Sequence, residues 1–208
     1  MMLCMEDILE KYNVSRETIE NLKLFQNMVL EWNKKLNLIS KSSEKDIWER
    51  HIIDSLQLCQ FINKNDESLY DLGSGAGFPG VVLAIVAKEK FPKLKVTLIE
   101  SIGKKVLFLK EVNKTLDLKL NIINDRIENL KIPKADIISS RALASLEKLL
   151  EYAKPFCSEK TTLLFPKGEK WPEEINKAKE KWIFCYKNTQ SITNSRGCIL
   201  LINKIRRK

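Results

Sequence analysis

The chain has 208 residues, 44% of them hydrophobic, which is enough for one full core and a small appendage but not for two large independent domains. Its longest purely apolar run, Val81 to Ala87, is far short of the roughly 20 residues a membrane-spanning helix needs, so no such span is expected. The formal charge of +9 is lopsided: residues 1–70 hold 9 Lys and Arg against 12 Asp and Glu, whereas residues 71–208 hold 27 against 15, an excess that suits either a phosphate-bearing polyanion or a lysine-rich solvated surface.

The N-terminal stretch Met1-Met2-Leu3-Cys4-Met5-Glu6-Asp7 lacks the basic segment of a signal peptide. From Ser15, Ile19, Leu22, Phe25, Val29, Trp32 and Leu36 recur at helical steps, with Ser15 placed to cap the first turn. A second helix is expected after Ser43, with Asp46 three residues on in a capping-box arrangement and Trp48, Ile52, Leu56 and Cys59 near one face. Asn63 to Glu67 reads as a linker, so residues 1–67 are expected to be a helical extension and 68–208 the main domain.

Beyond the linker, short apolar runs alternate with helical stretches, the mark of an α/β fold with a doubly wound, mostly parallel sheet. Strands are expected at Ser68–Leu72, Lys95–Glu100, Leu120–Asn124, Ala135–Ser139 and Thr161–Phe165, and helices at Val81–Lys90, Lys104–Leu116 and Leu146–Ala153. Trp182–Lys187 and Cys198–Lys204 show no convincing helix between them and are expected to form an antiparallel pair, for seven strands in all. Five cysteines, scattered and never spaced as Cys-x-x-Cys, argue against a disulfide framework and a zinc site and fit a reduced cytoplasm.

Four of the 7 glycines stand at positions 73, 75, 77 and 80, directly after an expected strand and before a helix. Glycine there lets the chain turn tightly and lets a ligand approach the backbone. Gly75-Ala76-Gly77-Phe78-Pro79-Gly80 matches the dinucleotide pattern G-x-G-x-x-G, which by itself would also serve an NAD-dependent oxidoreductase. Asp71 tips the balance: a carboxylate just before the glycines repels a pyrophosphate but attracts the ammonium and sulfonium of S-adenosyl-L-methionine. Glu100, ending the next strand, is placed to accept from ribose hydroxyls of either cofactor.

Nearly end to end, the chain resembles the bacterial small-subunit (16S) ribosomal RNA methyltransferases that modify a guanine at N7, the glucose-inhibited division protein B family. The matching segments are Trp32-Asn33-Lys34-Lys35-Leu36-Asn37-Leu38, Arg50-His51-Ile52-Ile53-Asp54-Ser55-Leu56, Asp71 through Gly80, Ser140-Arg141-Ala142 and Lys167-Gly168. Pro166 departs from the pattern, where a small or apolar residue is expected. The resemblance implies a class I methyltransferase using S-adenosyl-L-methionine, with Gly73 and Phe78 touching the cofactor, Ile127 and Glu128 flanking its adenine and Arg141 at the methyl-donor end.

Arg126-Ile127-Glu128 follows the third expected strand, where adenine lies in such sheets, and Arg141 follows the fourth. Cofactor-binding residues are therefore expected to be Asp71, Gly73, Gly75, Gly77, Phe78, Glu100, Ile127, Glu128 and Arg141. Arg141 and Lys167 are expected to hold the guanosine or its phosphate, and no metal is expected. His51, the single histidine, lies three residues from Asp54 and Arg50 four, spacings that make intrahelical polar pairs, so a structural or RNA-contacting role is favoured over catalysis. Lys204, Arg206, Arg207 and Lys208, with Arg50 and His51, are the candidate RNA contacts. The partner expected is 16S ribosomal RNA or the small subunit, met by a monomer. The alternatives are a class I methyltransferase with another substrate and an inactive RNA-binding assembly factor.

Overall fold

In the computed structural model, which describes residues 11–208, helix α1 (Arg16–Asn33) starts where Ser15 is extended and its hydroxyl accepts from the Thr18 amide at 3.2 Å. Its apolar stripe, Ile19, Leu22, Phe25 and Val29, is buried. The second helix does not begin at Ser43. That residue lies buried inside a single turn, Lys41–Glu44, with its hydroxyl 2.7 Å from Ser40 Oγ. The following segment is a π-helical run Trp48–Ile53, an α turn Asp54–Leu56 and a 3-10 turn Gln57–Phe61.

Then come β1 (Ser68–Leu72), α2 (Gly80–Lys90), β2 (Lys95–Ile99), α3 (Gly103–Leu116), β3 (Asn121–Ile123), β4 (Ala135–Ser139), α4 (Leu146–Ala153) and β5 (Cys157–Lys167). They are followed by α5 (Trp171–Lys181), β6 (Trp182–Gln190) and β7 (Cys198–Arg207). All seven expected strands are present, and β5, β6 and β7 run longer than their apolar cores suggest because their ends pair with a neighbour while half exposed. Helix α5 was not expected, since only Ile175 and Ala178 of it are buried and its polar remainder hides the apolar period.

The sheet order is β3-β2-β1-β4-β5-β7-β6, parallel from β3 to β5 and antiparallel at β5-β7-β6. The chain winds outward from β1 in one direction and returns through β4 in the other, so a crevice opens at the carboxyl ends of β1 and β4. Successive residues feed two cores. Leu69, Ile137, Leu164 and Ile199 face α1, α2 and α3, whereas Tyr70, Ile138, Leu163 and Leu200 face α4 and α5.

Helix α2 explains how the N-terminal helices belong to this arrangement. Every residue from Gly80 to Ala87 is buried, so the helix is apolar all round and must be covered on both sides. The sheet covers one side; Phe25, Val29, Ile52 and Leu56 join the same cluster from the other. Glu89, near its end, accepts from the Ser15 amide at 3.0 Å and the Thr18 hydroxyl at 2.7 Å, pinning α1 to α2.

Candidate active site

The crevice is shaped first by the turn after β1. Gly73 and Ser74 both donate to the Ile99 carbonyl, at 2.9 and 3.1 Å, and the Ser74 hydroxyl donates to the Asp71 carbonyl at 2.9 Å. Gly73 has φ +69°, and a Cβ there would come within 2.7 Å of Leu143 Cδ1. At Gly80 a Cβ would lie 2.4 Å from Leu98 Cδ2, so only glycine lets α2 start this close to the sheet. Backbone at the turn is thereby left bare toward the crevice.

That bare backbone is one wall of a cavity of about 490 Å³, lined also by Phe78, Glu100, Ile127, Glu128 and Arg141. Glu100 is buried, with Oε2 accepting from the Gly75 amide at 2.8 Å and Oε1 from the Ile102 amide at 2.8 Å. Ile127 and Glu128 begin the 3-10 turn Ile127–Asn129 after β3, which lies two strands from β1 in the sheet. Two expected contacts fall behind this wall. Gly77 packs against Val81 and Phe25, and Asp71, 1% exposed, accepts from the Gly80 amide at 3.2 Å and the Ser139 hydroxyl at 2.8 Å. Burial pushes the Asp71 carboxyl up to about 6, against the pull of those hydrogen bonds. Its observed work is to tie β1, β4 and the start of α2 together beneath the loop.

Arg141 follows β4 and reaches the N-terminal helices. Its Nη1 donates to the Arg50 carbonyl at 2.9 Å and to Asp54 Oδ2 at 3.2 Å, and its Nη2 bonds His51 Nδ1. The guanidinium also lies 5.2 Å from the centre of the Phe78 ring, on which His51 stacks at 4.9 Å. The π-helical run makes this possible: the Asp54 amide donates five residues back, to the Glu49 carbonyl, and the widened turn presents Arg50, His51 and Asp54 to one guanidinium. The expected pairing of Asp54 with Arg50 and His51 is replaced by this tertiary one.

His51 cannot act as a ready base. Burial, reinforced by the charges of Arg141 and Arg50, lowers its pKa to about 3, so it is neutral near pH 7 with Nδ1 accepting from Arg141. Burial also raises the Cys59 thiol to about 12 and Cys157 to about 11, while Cys198 rises to about 11 through burial and the nearby Glu174 charge. None of the three is a thiolate nucleophile at neutral pH.

Beyond Arg141 lies a second cavity of about 390 Å³, which shares Arg141, Ala142 and Leu143 with the first. Lys167 lines it, but its ammonium donates to the Ala144 carbonyl at 3.0 Å and to Glu174 Oε2 at 2.8 Å and is nearly buried. The expected grip of Lys167 on a guanosine or phosphate is thus replaced by two bonds inside the protein. Glu174 and the loop 191–197 were missed from the sequence. The one local signal was Trp171-Pro172-Glu173-Glu174, a proline in the first helical turn followed by acids, which marks a helix start.

The basic tail lies elsewhere. Lys167 at the crevice end of β5 pairs with Cys198 at the start of β7, so Arg206 and Arg207 stand eight and nine residues further along β7, roughly 26 to 30 Å away at about 3.3 Å per residue. Lys204 and Lys208 belong to that end too. The cations at the first cavity are instead Lys105, Arg126 and Arg141. Among the described residues there is no group of acids, histidines and cysteines able to hold a metal, and no helix long and apolar enough to cross a membrane.

The model of the family described as rRNA small subunit methyltransferase G matches residues 18–201. The chain belongs to that family. A ribosomal RNA small subunit methyltransferase G from Ruegeria pomeroyi is 42% identical over 195 residues, covering 94% of this chain and 95% of the relative. Its counterpart from Rickettsia prowazekii is 42% identical over 192 residues, covering 92% and 97%. Among solved structures, an O-methyltransferase from Bacillus cereus in complex with SAH superposes with a TM-score of 0.58 at 14% identity, covering 96% of each chain. A methyltransferase from Pyrococcus furiosus gives 0.55 at 16% identity, covering 73% of this chain and 81% of that one. The fold is therefore the class I, Rossmann-like methyltransferase fold, and the family makes this chain a methyltransferase.

Proposed function

We propose that this member of the family transfers a methyl group from S-adenosyl-L-methionine to N7 of a guanine in 16S ribosomal RNA, acting in the cytoplasm as a monomer. The observation that carries the reading is the pair of cavities with one wall in common, Arg141 to Leu143, which gives donor and acceptor adjoining places at the carboxyl edge of the sheet. Residues 68–208 form the methyltransferase domain, and residues 1–67, the first ten of which lie outside the described residues, serve as an extension whose described helices supply Arg50, His51 and Asp54 to the common wall.

The first cavity suits the cofactor because its glycine wall leaves backbone exposed where a Cβ at Gly73 would strike Leu143, and because Glu100, Ile127 and Glu128 line the same cavity. S-adenosyl-L-methionine supplies a methyl group already activated on a sulfonium. Glu100 accepts from the ribose hydroxyls; Gly73, Gly75 and Phe78 line the methionine side; Ile127 and Glu128 flank the adenine. Gly77 and Asp71 hold the loop in shape from behind.

Guanine N7 carries a free lone pair and no proton, so the chemistry requires no general base, in keeping with a neutral, Arg141-bound His51. What remains for the protein is to hold the two reactants in line, an effect that can supply roughly 7–11 kcal/mol. Arg141, fixed by Asp54, Arg50 and His51, forms that boundary. Lys167 positions Glu174 behind the acceptor. Arg50 and His51 border the RNA path, and Lys204, Arg206, Arg207 and Lys208 would meet only RNA that extends to the opposite edge of the sheet.

The test is transfer of labelled methyl from S-adenosyl-L-methionine to unmodified 16S RNA and to small subunits, with the modified base mapped by primer extension. Label at one guanine is the expected result. Label in protein or small molecules with none in RNA would overturn the reading.

A further inference from the structure

We infer that Glu174 is the residue that selects guanine, its open Oε1 accepting from the adjacent N1–H and N2–H2 donors of a base turned into the second cavity. The inference rests on the methyl-transfer reading above and adds to it the side chain that chooses the acceptor.

A carboxylate is oriented for recognition when one oxygen is anchored and the other is open. Glu174 Oε2 accepts from Lys167 Nζ at 2.8 Å and from the Leu146 amide at 2.7 Å, while Oε1 takes no hydrogen bond among the described residues. The side chain lines the cavity and is partly exposed within it. Asp54, the other carboxylate on that lining, is already committed: Oδ1 accepts from Gln57 and Thr193, both at 2.8 Å, and Oδ2 from Arg141 at 3.2 Å. Glu174 is therefore the acceptor with capacity to spare.

Of the four bases, only guanine presents two adjacent donors on its Watson–Crick edge. Adenine and cytosine place a ring-nitrogen acceptor beside their amino group, and uracil places carbonyls on both sides of its N3–H. Each would set an acceptor against a carboxylate. Enzymes that take a base out of its stack read it by that same edge. On guanine, N7 lies across the ring system from the Watson–Crick edge. With that edge on Glu174, N7 is directed away from α5, into a cavity whose lining includes the Arg141 to Leu143 segment shared with the cofactor cavity.

The test uses small subunits rebuilt with RNA carrying either guanine or hypoxanthine at the mapped target; hypoxanthine keeps N7 and N1–H but lacks the amino group. The wild-type protein should favour guanine in kcat/KM by about 10- to 100-fold. Glu174→Gln should bring that ratio to within about 3-fold of unity, with affinity for S-adenosylhomocysteine changed by less than about 3-fold. Glu174→Asp, which withdraws the carboxylate by one methylene, should lower the ratio as well and serves if the glutamine variant does not fold. A wild-type protein indifferent to the amino group, or a Glu174 variant that keeps the full ratio, would overturn the inference while leaving methyl transfer intact. A wild-type protein that methylates neither RNA would overturn both.

Discussion

Of the two cavities that meet at Arg141, the first takes its glycine wall from residues 73–76 and 78, whereas the second draws on residues 54, 141–144, 166–168, 174, 191, 194 and 198. A wall made of contiguous backbone is fixed by local conformation, so its residue types are dictated one by one. A wall made of distant side chains is fixed by the packing of whole elements. Gln57 shows the second kind: it donates to Ser191 Oγ at 3.2 Å and accepts from the Ile192 amide at 3.1 Å, joining the N-terminal helices to the β6–β7 loop.

If that contrast is right, damage to the loop should abolish cofactor binding, and damage to the assembled wall should abolish turnover alone. The largest effect is expected for Gly80→Ala, whose Cβ would lie 2.4 Å from Leu98 Cδ2 and 2.7 Å from Asp71 Oδ2. Overpacking of this kind costs about 1–3 kcal/mol. Denaturant unfolding should show that loss, and calorimetry should show at least about a 100-fold weaker affinity for S-adenosyl-L-methionine, given the leverage of Asp71 on the loop.

Next comes Arg141→Lys, which keeps the charge but loses the fork shared by Asp54, the Arg50 carbonyl and His51. Turnover on small subunits should fall by about 100-fold, with cofactor affinity within about 3-fold. Equal losses in both would erase the distinction between the two walls. Glu100→Gln puts an amide where both oxygens accept backbone N–H groups, so cofactor affinity should drop by about 10-fold, one charge-assisted hydrogen bond's worth.

A pH titration sharpens the comparison, because His51 and Asp71 shift stability in opposite senses. Between pH 6.5 and about 3 the unfolded chain protonates at His51 while the folded chain does not, so this group's contribution is lost as pH falls. Asp71, raised to about 6 from 3.8, contributes a loss as pH rises through that interval. His51→Gln should therefore flatten the acid-side decline in urea-measured stability relative to the parent protein. An unchanged slope would mean that His51 titrates normally in the folded state. The smallest effect is expected when Arg206, Arg207 and Lys208 are changed together to Ala: 16S RNA methylation at moderate salt should stay within about 3-fold, since these residues stand at the end of β7 away from the crevice.

The sequence was most readable where one residue answers to its immediate neighbours. The glycines of 73–80 and Glu100 at the end of β2 came from strand-to-helix transitions, whereas Ile127 and Glu128 came from the family resemblance, and each of those turns borders the first cavity. Reading stopped where the decisive partner is remote. The positions of Asp71, Lys167 and Glu174 depend on neighbours at 139, 144 and 146, which no periodicity reports. Helix α5 escaped because two buried residues in eleven give too little period to detect.

By itself, then, the sequence determined the seven strands, the glycine turn and the family, since alternation, turn residues and motif order are local properties of the chain. Only the tertiary structure decided that Asp71 lies behind the loop, that Lys167 serves Glu174, and that the basic tail stands at the far edge of the sheet. Side-chain roles of this kind follow from burial and from competition among hydrogen-bond partners, and both exist only once the elements have packed.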